Sequence, residues 1–194
     1  MTEVRGRVRR WVRRVMGLGL TGFLIVGSYA GWAYGNGNLH TVLVGELYRS
    51  ATLPPEQLRE VLATRGIRTI INLRGPSEDS AWYREEAKIA DAAGVRLVNL
   101  AWSARRELTD EQVKDYLATL ADVPRPILVH CRSGADRTGL ASALYLAVVK
   151  KADELTAESQ LSVRFGHFSL PFMPYYAMDE TFERLEPQLG YPRS

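Results

Sequence analysis

Cys131, Asp136 and Arg137 are the residues whose types and spacing could do chemistry. They sit in the run His130-Cys131-Arg132-Ser133-Gly134-Ala135-Asp136-Arg137-Thr138-Gly139. A short apolar run precedes it, residues 126–129, and reads as a buried strand. A longer run rich in Ala and Leu follows, residues 140–146, and reads as a buried helix. A loop from a strand end to a helix start turns successive backbone N–H groups toward one point. The helix dipole adds positive potential there. The result is a nest for a phosphate or sulfate dianion, built here from Arg132, Ser133, Gly134, Ala135 and Thr138. Arg137 can grip two oxygens of that anion with its planar fork. Cys131 stands at the floor of this positive site, which favours its thiolate form. A thiolate under a bound phosphate is placed for in-line attack on phosphorus. The plainer reading of Cys131 is a buried structural cysteine beside a helix start.

These residues resemble the cysteine-dependent phosphatase superfamily, the tyrosine and dual-specificity phosphatases. Its signature is His-Cys, five residues, Arg, then Ser or Thr, and His130, Cys131, Arg137 and Thr138 fill those slots. Tyr48-Arg49-Ser50-Ala51 and Ile71-Asn72-Leu73-Arg74 also resemble atypical dual-specificity phosphatases of bacteria, plants and fungi. The resemblance covers roughly residues 40–150, and the signature loop is its most specific part. It implies an α/β fold and phosphomonoester hydrolysis through a phosphocysteine intermediate, with no cofactor. One cysteine and three histidines (His40, His130 and His167) also make a poor zinc-ligand set.

Hydrolysis needs a group that protonates the leaving oxygen and later activates water. Many relatives supply an aspartate from a separate loop. The corresponding stretch, residues 101–110, has no aspartate before its helix cap. Glu107 and Asp110 are candidates there, although acids in a first helical turn usually serve the dipole. Asp136 is preferred. An Asp-Arg-Thr ending looks like the myotubularin, Sac-type and bacterial lipid-directed tyrosine phosphatase families, in some of which this aspartate is proposed as the acid. Its other reading is a structural hydrogen bond or ion pair. The chain departs from those families at Ala135, where many carry a lysine suited to polyphosphorylated inositol rings. His130 is read as orienting the loop through hydrogen bonds. Thr138 either steadies the leaving thiolate or caps the helix. Arg74 ends a strand on the same rim and either binds substrate or is a solvated arginine. Arg105 and Arg106 are read as solvated, and His167 as structural.

The formal net charge of +3 misleads. Six arginines, Arg5, Arg7, Arg9, Arg10, Arg13 and Arg14, lie within the first fourteen residues beside one acid, Glu3. The body is near neutral, which argues against nucleic acid as a partner. Residues 15–34 carry no charge and, as a helix, would span about 30 Å, the thickness of a bilayer core. Trp11, Trp32 and Tyr34 mark the ends where aromatic belts belong. Positive charge on the N-terminal side predicts a cytoplasmic N-terminus and an exported body. The expected layout is a basic segment over 1–14, a transmembrane anchor over 15–34 and a linker over 35–40. A phosphatase domain over 41–194 completes it, facing the periplasm from a bacterial inner membrane. A cleaved signal peptide is the competing reading, with Gly31-Trp32-Ala33 as its site.

The pattern predicts strands over 41–44, 47–50, 69–73, 95–100 and 126–129. Helices are predicted over 54–65, 81–93, 110–120 (capped by Thr109), 156–164 and 175–189, besides the one after the loop. Thr109 and Gln112 have the spacing of a capping box. Alternation of this kind implies a mainly parallel central sheet flanked by helices, with its site at the carboxyl ends of the strands. Three functions compete: a membrane-tethered phosphatase acting on phosphotyrosine proteins or phosphorylated lipid headgroups, a phosphate-binding pseudophosphatase, and a rhodanese-like sulfurtransferase.

Overall fold

A computed structural model describes residues 36–192 and isolated positions between 11 and 35. The chain divides into two compact units, Met1–Asn36 and Gly37–Ser194. Most of residues 15–34, and with them the expected anchor, lie outside the described residues. Among the described residues no helix is long and apolar enough to cross a membrane.

The second unit is built on five short strands. They are β1 (His40–Leu43), β2 (Leu47–Ser50), β3 (Thr69–Asn72), β4 (Arg96–Asn99) and β5 (Ile127–His130). The order across the sheet is β1-β2-β5-β3-β4. The β2, β5, β3 and β4 pairings are parallel, and β1 adds one antiparallel edge. The sheet is thus mixed, with parallel pairing where the site forms. Gly45, at φ +75°, turns the β1–β2 hairpin.

Alternation along the central strand sorts side chains onto two faces. Ile127 and Val129 join Leu47 and Ile71 on one face, while Leu128 joins Tyr48 and Ile70 on the other. The second face is covered by α1 (Pro55–Thr64) and α2 (Ala81–Ala92). Leu58, Val61 and Leu62 form the buried stripe of α1, and Pro55 sits in its first turn, where the missing N–H costs nothing. The first face is covered by α3 (Asp110–Asp122), α4 (Asp136–Val149) and α6 (Ala177–Leu189). Thr109 and Gln112 form the full capping box of α3. Helix α4 is buried from Thr138 through Ala147, so its sequence is apolar all round. Truncating Leu140 or Leu144 there would cost about 2–5 kcal/mol.

One predicted helix is broken. The 156–164 segment forms only α5 (Glu154–Glu158), capped by Asp153, and then a separate 3-10 turn, Val163–Phe165. Ser159 Oγ bonds to the Thr156 carbonyl and Ser162 Oγ to the Ser159 carbonyl, a local alternative that draws backbone away from a helix. The last helix likewise starts at Ala177, after a 3-10 turn over Pro174–Tyr176.

The parallel register aligns a polar row at the carboxyl edge. Ser50 pairs with His130, His130 with Asn72, and Asn72 with Asn99. Residues that continue from this row, Ala51, Cys131, Leu73 and Leu100, start the loops that form the site.

Candidate active site

The loop after β5 is held from outside by its carbonyls. Thr52 Oγ1 donates to the Cys131 carbonyl at 3.0 Å. The Thr52 amide donates to the Arg132 carbonyl at 3.4 Å, and Asn38 Nδ2 to the Ser133 carbonyl at 3.0 Å. Arg49 Nη2 donates to the Gly134 carbonyl at 2.9 Å and the Ala135 carbonyl at 3.3 Å. In a trans peptide the N–H points opposite to the C=O. Five consecutive carbonyls fixed outward therefore turn the following amides inward, the arrangement of an anion nest. Gly134 permits the loop's tightest point. Its φ is +75°, and a Cβ there would lie 2.6 Å from the Ala51 nitrogen.

Helix α4 starts at Asp136 with no side-chain cap, so its dipole faces the same nest. Thr138 makes no cap hydrogen bond, which removes the capping reading. Its hydroxyl is buried and unpartnered, as is Nε of Arg137. Arg137 Nη1 is braced by the carbonyls of Leu73 and Trp102, each at 3.2 Å. These carbonyls belong to the loops after β3 and β4, so three strand ends fix one guanidinium. Cys131 begins the loop and is 1% exposed.

A cleft of about 500 Å³ opens over this loop, with Arg132, Ser133, Asp136, Arg137, Arg105 and Tyr175 among its walls. A second cleft of about 480 Å³, between α1 and α2, is lined by residues such as Leu62, Ile67 and Ile89 and holds no cysteine, serine or threonine. Among the described residues no cluster could hold a metal ion.

The candidate acids separate clearly. Glu107 and Asp110 both pair with Arg184 of α6, at 3.2 Å and 2.6 Å, and neither lines the cleft. Asp136 lies in the cleft wall, its side chain 16% exposed. Its Oδ1 is 2.8 Å from His167 Nδ1, and His167 Nε2 is 2.8 Å from Asp179 Oδ2. Sequence reasoning assigned His167 a structural role and did not single out Asp179. Burial opposes charge on the imidazole, but the bonds to Asp136 and Asp179 outweigh it and push His167 up to about 9.

Other residues find definite places. His130 Nε2 lies 3.0 Å from Glu86 Oε2 of α2, both side chains buried. Glu86, a buried acid on an otherwise apolar helix stripe, was the signal sequence reading passed over. Arg74 is not a freely solvated arginine. Its Nη1 donates to Thr52 Oγ1 at 2.9 Å, and its guanidinium stacks 3.4 Å from the Trp82 ring centroid. Burial, then the charge of Arg137, lowers its pKa. Arg74 thus braces Thr52, which itself holds the Cys131 carbonyl. Arg105 joins the cleft wall near Tyr175, and Arg106 is exposed.

A strand–loop–helix that opens on a cysteine, an arginine fixed by neighbouring strand ends and an adjacent carboxylate match a cysteine-based phosphatase type of site. Residues 29–159 match the tyrosine phosphatase family, and the chain belongs to it. It is homologous to the dual specificity protein phosphatase TpbA of Pseudomonas aeruginosa (strain UCBPP-PA14), 34% identical over 117 residues. Those residues are 59% of this chain and 49% of that protein, so the chain spans about half the length of the curated relatives it matches. A crystal structure of P. aeruginosa TpbA in complex with pTyr superposes with a TM-score of 0.57 at 27% identity. The match covers 75% of this chain and 83% of that one. A putative phosphatase from Shewanella putrefaciens gives a TM-score of 0.60 at 19% identity, over 82% of this chain and 97% of the other, and shares the fold. Family membership sets aside the sulfurtransferase expectation.

Proposed function

We propose that this chain hydrolyses phosphomonoesters through a phosphocysteine intermediate. The observation that carries the reading is the loop whose five carbonyls are fixed outward beside Arg137. The inward amides and the Arg137 fork hold the non-bridging oxygens of the phosphate. The Cys131 thiolate attacks phosphorus; the S–P bond forms as the P–O bond to the leaving group breaks. Asp136 gives its proton to the departing oxygen. Water then attacks the phosphocysteine and Asp136 takes its proton. Phosphate leaves, Cys131 returns as thiolate, and Asp136 is protonated again for the next cycle.

The substrate is a phosphotyrosine protein or a phosphorylated lipid headgroup. Phosphotyrosine is favoured by the TpbA relative, whose crystal complex holds pTyr. The lipid is favoured by the uncharged stretch 15–34, read as a single-pass anchor that keeps the site near a bilayer. With that anchor, the one-sided arginine cluster supports a catalytic unit outside the cytoplasm of a bacterial cell. Cys131→Ser tests the mechanism: turnover is lost while phosphate still binds, and turnover at the wild-type rate overturns it. A panel of phosphopeptides and phosphorylated headgroups, assayed with the full chain in lipid vesicles, separates the two substrate classes.

A further inference from the structure

His167 reaches Asp136, in the wall of the cleft, from a segment far along the chain. Its backbone amide is tied to the Ser162 carbonyl at 3.1 Å, and its ring is 0% exposed. Just before it, Gly166 takes φ +82°, and a Cβ there would lie 3.8 Å from that of Ala135. The segment therefore passes close against the phosphate loop. Each ring nitrogen faces a carboxylate oxygen at 2.8 Å, Asp136 on α4 and Asp179 on α6. A carboxyl oxygen without a proton accepts, in a carboxylate and equally in an acid that carries its proton on the other oxygen, so a ring bonded to two such oxygens donates from both nitrogens. That geometry fixes the ring from behind and leaves Asp136 one engaged oxygen, Oδ1, and one other, Oδ2.

We infer that His167, held by Asp179, is a positioning residue that orients Asp136 so that Oδ2 meets the leaving oxygen and then the attacking water. The inference rests on Asp136 as the acid and base of the proposed reaction. A carboxyl at the first turn of a helix can rotate about χ1 and χ2, and proton transfer requires hydrogen-bond reach. Misplacement by about 1 Å can cost about 10²-fold. Pinning Oδ1 removes that freedom without occupying the oxygen that works. Asp179 supplies the second bond, which stops the imidazole from swinging away.

The test uses the full chain and two substrates, an alkyl phosphate whose leaving group needs a proton and an activated aryl phosphate that leaves without one. His167→Ala is expected to lower kcat on the alkyl phosphate by about 10–100-fold with a small change in KM. The loss of kcat/KM on the aryl phosphate, which reads only the steps through P–O cleavage, is expected to be at least tenfold less than that on the alkyl phosphate. His167→Asn keeps an N–H donor near the place of Nδ1 and is expected to recover most of the alkyl loss. In an Asp136→Asn background, His167→Ala is expected to add little on the alkyl phosphate, because the two act as one unit. Thermal melting and binding of inorganic phosphate confirm that each variant is folded. Should His167→Ala fail to fold, Asp179→Asn carries the same test, with a smaller alkyl-selective loss expected. Equal losses of kcat/KM on both substrates, or no recovery in His167→Asn, overturn the inference. If Asp136→Asn itself shows no dependence on the leaving group, the acid assignment fails instead; if it does and the His167 variants do not, only the positioning role fails.

Discussion

Arg49 Nη2 donates to the Gly134 carbonyl at 2.9 Å, joining the middle of β2 to the tightest point of the phosphate loop. Its Nη1 meanwhile holds the Gln160 carbonyl at 2.8 Å, and its guanidinium lies 3.8 Å from the Phe165 ring centroid. One fully buried arginine thus ties sheet, loop and the segment before His167 together. It also adds a fixed positive charge behind the anion nest. The loop geometry is therefore a property of the whole carboxyl edge rather than of the loop's own sequence.

Removing Arg49 should accordingly damage both stability and binding. Arg49→Met keeps much of the stem volume but leaves the Gly134, Ala135 and Gln160 carbonyls short of a donor. A buried group without its partner costs about 1–3 kcal/mol, so a loss on the order of 2–5 kcal/mol is expected. Urea unfolding measures the first effect and phosphate inhibition the second. A variant as stable as wild type, with unchanged phosphate affinity, would show that the loop holds its shape unaided.

Much of this was legible in the sequence, and the limits have physical causes. The run from His130 to Gly139 is contiguous, so strand, loop, cysteine and arginine can be read together. The Thr109–Gln112 cap is equally local and formed as expected. The mixed edge follows from a hairpin signal at Gly45. Contacts between distant segments left no such trace. His167 and Asp136 are 31 positions apart, and nothing in an aromatic, proline-bounded segment marks one histidine as a partner of that carboxylate. Glu107 and Asp110 looked available until α6 brought Arg184 against them. The helix expected over 156–164 had helical periodicity, but serine side chains competing for backbone carbonyls ended it early.

Topology is tested by a C-terminal alkaline phosphatase fusion to the full chain in a bacterial host. The expectation from the arginine cluster and the uncharged stretch 15–34 is an active fusion, because that reporter works only after export. Activity instead from a cytoplasmic reporter at the same position reverses the assignment. Carbonate extraction of membranes then separates an uncleaved anchor, which stays in the pellet, from a cleaved signal, which releases the body.

Stability should fall at alkaline pH through His167. Its imidazole is pushed up to about 9 from an ordinary 6.5, since the bonds to Asp136 and Asp179 outweigh burial. The folded value lies above the unfolded one. The stabilisation is therefore fully present below about pH 6.5 and is lost as pH rises through about 9. The shift corresponds to on the order of 3 kcal/mol at most. Groups around the pair modulate it: Arg132 and Arg137 beside Asp136 in the cleft wall, and Glu158 and Tyr176 near Asp179. The stability gap between wild type and His167→Asn should be wide at pH 6 and narrow by pH 10, as read by urea unfolding. A gap that does not change with pH would mean that folding leaves the imidazole's pKa unshifted.

The acid itself is the sharpest test of the proposed chemistry. Asp136 lines the cleft beside Arg137, while Glu107 and Asp110 pair with Arg184 outside it. Asp136→Asn removes the transferable proton and keeps the shape of the side chain. An alkyl phosphate expels a poor leaving group that needs a proton, so its turnover should drop by about 10²–10⁴-fold. An activated aryl phosphate expels a stabilised anion, so its first step should lose far less. The aryl substrate should then show a burst, because Asp136 also activates water and the phosphocysteine now breaks down slowly. Glu107→Gln and Asp110→Asn should leave both rates near wild type. Equal slowing of both substrates by Asp136→Asn, with no burst, would make the residue a support for loop geometry. Selective loss of alkyl turnover in Glu107→Gln or Asp110→Asn would move the acid to the upstream loop and require Arg184 to release it during the cycle.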